Sequence, residues 1–261
     1  MDEDEAVDAA ILNCESHELT RQLCDAMGIF AYVVIASADS THGMNAVGDW
    51  AGTVPESVAS RAPHVAYCKM GELVLAGAGL DGTLVMTPVE GDELSLHWMG
   101  GVALNGTIVA VSKMAQEHDR LLALLTLYDR EVHPLKLHHV GFRFPDAESY
   151  GANCAGRENG MVRNVPGDHY RTYFRTGESY LEHQWFPEGP HDEAAHWDFV
   201  TEDPDGLLNF IAAAYGKGPV FFDDVGEHDP VGAFWVTGSD GTKIGVMARK
   251  TWWKVEEVEK G

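Results

Sequence analysis

From Val7 to Met27 the apolar residues Ala10, Ile11, Leu19, Leu23 and Met27 recur at helical spacing and Gly28 offers a stop, which predicts an opening helix. Residues 29–37, Ile-Phe-Ala-Tyr-Val-Val-Ile-Ala-Ser, form a continuous β-rich apolar run, the pattern of a buried strand. It leads into a segment, His42-Gly43-Met44-Asn45 with Asp49-Trp50, that reads as a loop packed by its own Trp50, with the lining of a ligand pocket as the alternative. Pro55 to Ala62 has the composition of a short helix. Three runs follow, Glu72–Ala78, Thr83–Pro88 and Leu94–Val111, punctuated by Gly-Ala-Gly, Asp-Gly, Glu-Gly-Asp and Asn-Gly. They read as an antiparallel meander, with Asn105-Gly106 the sharpest hairpin signal. A helix is predicted from Met114 to Arg130, with Leu121, Leu122, Leu125 and Tyr128 on one face. It ends before His133-Pro134, since a residue preceding proline is turned away from helix. The domain boundary falls there, giving residues 1–133 and 134–261.

The second half uses one pattern twice. Residues 137–144, Leu-His-His-Val-Gly-Phe-Arg-Phe, make a strand and Pro145-Asp146 starts a short helix. Strands near 160–166, 170–176 and 179–186 follow, joined by Pro-Gly and Thr-Gly-Glu turns. Residues 195–201 make a strand again and Asp203-Pro204-Asp205 caps a helix through Tyr215. Strands at 219–224, 231–237 and 242–249 complete a second β-α-β-β-β unit.

Charge narrows the choice of partners. Asp and Glu outnumber Lys and Arg by 41 to 18, for a formal net charge of -23, and such a field repels nucleic-acid phosphates and anionic lipid alike. The expectation is a protein without nucleic-acid or membrane partners. The acidic, lysine-poor composition resembles that of halophilic proteins, whose self-repulsion is screened by salt. The chain has no run of about 18 uninterrupted apolar residues and its start lacks a signal-peptide pattern, so a cytoplasmic location is expected. Cys14, Cys24, Cys68 and Cys154 form no C-x-x-C pair, which disfavours a zinc knuckle or a disulfide scaffold.

The residues of the second half resemble the vicinal oxygen chelate superfamily, which includes glyoxalase I and the extradiol dioxygenases. The resemblance is carried by Leu137-His138-His139-Val140-Gly141-Phe142-Arg143-Phe144-Pro145-Asp146, by His196-Trp197-Asp198-Phe199-Val200 with Asp203-Pro204-Asp205, and by Ser239-Asp240-Gly241-Thr242-Lys243-Ile244-Gly245-Val246-Met247. It implies an α+β protein whose C-terminal paired βαβββ modules form a curved mixed sheet around a divalent transition metal, iron, manganese, nickel or zinc. The implied ligands are His139, Glu182 and His196, and the position implied for a fourth ligand falls on Gly245, which cannot ligate. Modules of this kind pair within a chain or across a dimer, so a homodimer is also implied. The first half, with its helix, strand, loop, meander and helix, resembles sensor-like α/β modules of the roadblock and GAF type.

Alternation along the strands can be read without the resemblance. On 137–144, Val140, Phe142 and Phe144 share one face and leave His139, Gly141 and Arg143 on the other. On 195–201, His196 and Asp198 oppose Trp197 and Phe199; on 179–186, Tyr180, Glu182 and Gln184 oppose Leu181 and Trp185. Each proposed ligand therefore faces away from the large apolar side chains, toward a cleft. Two imidazoles and a carboxylate suit a facial triad with open positions. The expected activity is that of a metal-dependent lyase or dioxygenase on a small oxygenated molecule. Arg143 is expected to anchor an acidic substrate group, and Tyr173 or Tyr180 to donate a proton.

Two other classes remain open on the sequence: a non-catalytic ligand-binding or regulatory protein, and an assembly subunit of a virus or large complex that uses the Trp252-Trp253 tail as its contact. The two histidines of His191-Asp192-Glu193-Ala194-Ala195-His196 are five apart and do not share a helix face, which excludes a zinc-protease helix. Gly77-Ala78-Gly79 precedes a turn and a strand, so it is not a nucleotide loop.

Overall fold

The computed structural model describes residues 18–39, 43–55, 61–77, 80–89, 97–155, 161–165, 170–188, 192–223, 225–227 and 229–255. The chain divides into two compact units: residues 1–134 with 238–240, and residues 135–237 with 241–261. Among the described residues no helix is long and apolar enough to cross a membrane.

In the first unit α1 (Glu18–Met27) precedes the hairpin β1 (Ala31–Asp39) and β2 (Gly43–Ala51). Next come α2 (Ala62–Leu75), β3 (Val85–Met86), β4 (Gly101–Leu104), β5 (Thr107–Ser112) and α3 (Gln116–Glu131). The sheet is antiparallel throughout, in the order β2-β1-β5-β4-β3. One face carries Val34, Ala36, Ala103, Ile108 and Ala110 against Ala66 and Leu73 of α2. The alternate residues Val33, Val102, Val109 and Val111 are equally buried. Burial on both faces is why this sheet reads as continuous apolar runs.

The expected strand at Glu72–Ala78 is instead the end of α2, whose first turn holds a proline. Its buried positions Ala62, Ala66, Lys69 and Leu73 follow helical spacing. The stripe is hidden in the sequence because one member is a lysine. Lys69 is buried beside Asp119 of α3 at 3.1 Å and donates to the carbonyl of Val111 at 2.6 Å, so an ion pair takes the place of an apolar contact. The expected loop around Trp50 is a full strand, with Trp50 opposite Tyr32 in register and its ring 5.2 Å away. Asn105-Gly106 does form the β4–β5 turn, both residues having positive φ, 52° and 80°. Cys14, the first half of the opening helix and most of the expected Pro55–Ala62 helix lie outside the described residues.

The second unit runs β6 (Lys136–Arg143), α4 (Ala147–Ala155), β7 (Met161–Val165), β8 (Tyr170–Thr176), β9 (Ser179–Trp185), then β10 (Ala194–Val200), α5 (Pro204–Tyr215), β11 (Val220–Phe221), β12 (Gly232–Thr237) and β13 (Lys243–Arg249). These are two β-α-β-β-β modules in one mixed sheet, ordered β11-β12-β13-β10-β6-β9-β8-β7. The first strands of the modules, β6 and β10, meet antiparallel at the centre, and each runs parallel to its own module's last strand. The whole chain is thus α+β. Trp197 and Phe199, on the sheet face away from the histidines, are fully buried.

Helix α5 begins where the sequence places it. Asp203 accepts from the backbone N–H of Gly206 at 2.9 Å, a proline follows it, and Gly216 ends the helix in the left-handed region. Asp203→Ala should lower stability by about 1 kcal/mol, read as a fall in Tm, with the fold retained.

Candidate metal centre

The pairing of β6 with β10 sets His196 opposite Gly141 and Asp198 opposite His139. The imidazole of His196 lies over Gly141 so closely that a Cβ on residue 141 would stand 1.9 Å from its Cε1. Across the other flank of β6, Gly141 neighbours Glu182 of β9. One glycine therefore lets an imidazole and a carboxylate converge over the central strand.

The three side chains close on one point. His139 Nε2 stands 3.0 Å from His196 Nε2 and 3.2 Å from Glu182 Oε2, and His196 Nε2 is 3.3 Å from the same oxygen. All three residues are buried, at 3%, 3% and 1% exposure. Donor atoms about 2.1 Å from one ion and at right angles to each other lie about 3.0 Å apart, so the spacing is that of one face of a metal's coordination shell. The hydrogen bonding agrees. Glu182 Oε1 is buried with no hydrogen-bond partner, and the Nε of Arg171 is 3.8 Å away, too far to donate. The residues present therefore fit a divalent transition ion.

Burial works against a charge on Glu182, but His139 and then His196 outweigh it and hold the carboxyl well below the usual carboxylate range. Burial also lowers His196, against the opposing hydrogen bond that its ring donates to Glu182, which favours the neutral, ligating imidazole. Behind the triad, burial and then neighbouring His139 push His138 down to about 3.

The triad opens into a cleft of about 770 Å³ within the second unit. Its walls include Phe186, Phe222, Trp235 and Trp253, and Tyr173, Arg143 and Arg171 also reach it. Tyr173 sits opposite Glu182 in register; burial and then the Glu182 charge raise its phenol well above the ordinary value, so it keeps its proton. Arg143 lines the cleft but is held by Asp192, through the carboxylate at 2.6 Å and the backbone carbonyl at 3.1 Å.

Tyr180 does not reach the cleft. Its hydroxyl accepts from the Val255 backbone N–H at 3.4 Å, and it packs with Val255 beneath Trp252 and Trp253. The position of the absent fourth ligand also shifts. His139 neighbours Tyr180 as His196 neighbours Gly245, and Gly141 neighbours Glu182 as Asp198 neighbours Met247. The counterpart of Glu182 in the second module is Met247, which lines the cleft, and not Gly245. Gly245 makes room for an aromatic ring instead, since Trp235 lies across it, 2.8 Å from where a Cβ would stand.

Sequence reasoning missed His138, Asp198, Arg249 and Trp235. Asp198 is fully buried and accepts from both Nε and Nη2 of Arg249, a fork that ties β10 to β13 beside the triad. Strand alternation already puts Asp198 on the cleft face and could have raised it as a candidate. No signal points to His138, because its neighbour shares its residue type and parity assigns it to the far face.

No family model matches the chain and no curated protein matches it. Among solved structures, a hypothetical protein from Bacillus halodurans C-125 is similar at 11% identity over 46% of this chain and 98% of its own, with a TM-score of 0.31. A catechol 2,3-dioxygenase is similar at 18% identity over 43% of this chain and 38% of its own, with a TM-score of 0.30. A mutant 4-hydroxymandelate synthase from Streptomyces coelicolor is similar at 12% identity over 94% and 92%, with a TM-score of 0.36. The assignment of fold rests on the second unit itself: its strand order and register are those of two βαβββ modules paired through their first strands.

Proposed function

We propose that the second unit is a metal-dependent enzyme of the glyoxalase or dioxygenase type, acting on a small oxygenated molecule. The observation that carries this reading is the convergence of His139 Nε2, His196 Nε2 and Glu182 Oε2 within 3.3 Å of one another, while the other carboxylate oxygen, Oε1, is buried without a hydrogen-bond partner. A divalent transition ion held by these residues would supply a Lewis acid that polarises substrate oxygens. Glu182 contributes the one negative charge of the triad, and His139 and His196 contribute neutral lone pairs. Tyr173, protonated and beside Glu182, donates a hydrogen bond toward oxygen in the cleft. The aromatic walls keep water from that oxygen and accept a flat or apolar substrate body. Because Arg143 is engaged by Asp192, Arg171 is the better placed cation for an acidic substrate group.

Protein stripped by chelator and reloaded singly with iron, manganese, nickel or zinc should be screened against catechols, vicinal diols and keto compounds. At least one ion should restore consumption of one class, and Glu182→Gln should reduce it by about 100-fold or more. Ligand binding unaffected by chelator, with no turnover under any ion, would overturn the enzyme reading in favour of a binding protein.

A further inference from the structure

Two adjacent imidazoles on a strand normally point to opposite faces, yet His138 Nδ1 and His139 Nδ1 stand 2.8 Å apart. A contact of that length between two ring nitrogens holds one proton. Its owner can be deduced from the far side of His138. There Nε2 lies 3.0 Å from the backbone carbonyl of Trp253, and a carbonyl oxygen can only accept. His138 Nε2 therefore carries a proton. The ring has no exposure to water and is enclosed by Trp252, Trp253 and Tyr180, with centroids at 4.8, 4.8 and 5.6 Å. The nearby carboxylate of Asp198 is already claimed by the Arg249 fork. A second proton on His138 would be a buried cation without a carboxylate of its own, which is costly. So its Nδ1 is a bare acceptor and the shared proton belongs to His139 Nδ1. The Asp198 carboxylate, 4.0 Å from His139 Nδ1, is too distant to compete for that proton.

We propose that the Trp253 carbonyl and His138 together fix the tautomer of His139, so that His139 presents an unprotonated Nε2 to the cation site. This rests on the metal-centre reading above. His138 is then a positioning residue, acting through His139, and the aromatic segment after β13 is part of the metal site and not only a cover for the core. A bare His139 Nε2 then faces the Glu182 carboxylate at 3.2 Å as lone pair against lone pair, a repulsion that a shared cation would relieve.

The proposal is tested by imidazole ¹⁵N spectroscopy of the full-length, metal-free protein, with His138→Phe used to assign the rings and to remove the acceptor. His139 should show a protonated Nδ1 and a bare Nε2, and His138 the reverse. In His138→Phe that preference should be lost and zinc affinity should fall by about 10- to 100-fold, with His138→Gln, whose amide oxygen can accept, recovering part of it. A protonated His139 Nε2 in the wild type, or zinc affinity unchanged in a folded His138→Phe protein, would overturn the proposal. The tautomers are read without metal. A wild type that shows them but binds no ion would sink the metal-centre reading and leave the relay standing; the wrong tautomers in a protein that binds zinc would do the opposite.

Discussion

Gly141→Ala should abolish the metal binding proposed for the second unit while leaving every proposed ligand side chain in the sequence. A methyl group at residue 141 would meet the His196 ring at 1.9, 2.3 and 2.6 Å, contacts that the new side chain cannot turn away from, because its Cβ position is fixed by the backbone. The ring must swing away or β6 must part from β10. Either movement carries His196 Nε2 off the point it shares with His139 and Glu182. The expected result is a loss of metal affinity of about 100-fold or more, with an overpacking cost of about 1–3 kcal/mol in stability. Gly151→Ala is the control: it lies in α4 with nothing within 4 Å of the added Cβ, and it should leave both quantities unchanged or stability slightly raised. Titration of zinc into both variants, followed by thermal melts, checks the pair. Wild-type affinity in Gly141→Ala would mean that His196 does not hold its ring over that glycine.

Arg249→Met should be the most destabilising single change in the second unit, by about 3–5 kcal/mol, because it strands the fully buried Asp198 carboxylate without its partner. The double variant Asp198→Leu with Arg249→Met should recover most of that loss, since neither charge is then left behind in the sheet. A double-mutant cycle by denaturant unfolding separates the two outcomes. The same pair predicts a dependence on acid. Burial opposes ionisation of Asp198, but His139 and Arg249 together hold its carboxyl below the ordinary value of 3.8. Below 3.8 the unfolded chain takes up the proton before the folded one, so the stabilisation is complete above about pH 4 and is lost as pH falls through the folded value. The Arg249→Met, Asp198→Leu protein should show less of this acid loss than the wild type.

The parts of the fold legible in the sequence are those where one physical rule acts without interference. The Asn105-Gly106 turn and the Asp203 cap are local devices, and the structure forms both. Alternation sorts His139, Glu182 and His196 onto the cleft side because those strands are apolar on their other face. Where a tertiary partner replaces an apolar residue, the pattern fails. Lys69 breaks the stripe of α2 because its charge is met by Asp119, more than forty residues away in sequence, and the end of that helix then reads as a strand. Strand β2, rich in small and polar residues, is held by its pairing to β1 and has little strand signal of its own. Register is equally out of reach. The resemblance implied Gly245 as the counterpart of Glu182, whereas the pairing with β10 puts it at Met247, two residues on. Tyr180 shares parity with Glu182 but lies at the end of β9 covered by Val255 and the tail tryptophans, a contact that alternation cannot foresee.

The central claim is that His139, Glu182 and His196 hold one divalent transition ion, and elemental analysis of untagged protein tests it most directly. Wild type purified in salt, and the same protein incubated with iron, manganese, nickel or zinc and then desalted, should be compared with His139→Ala and His196→Ala. About one transition metal per chain in the wild type and none in either variant is the predicted result. No metal in the wild type after every incubation, or an equal content in all three proteins, would contradict it.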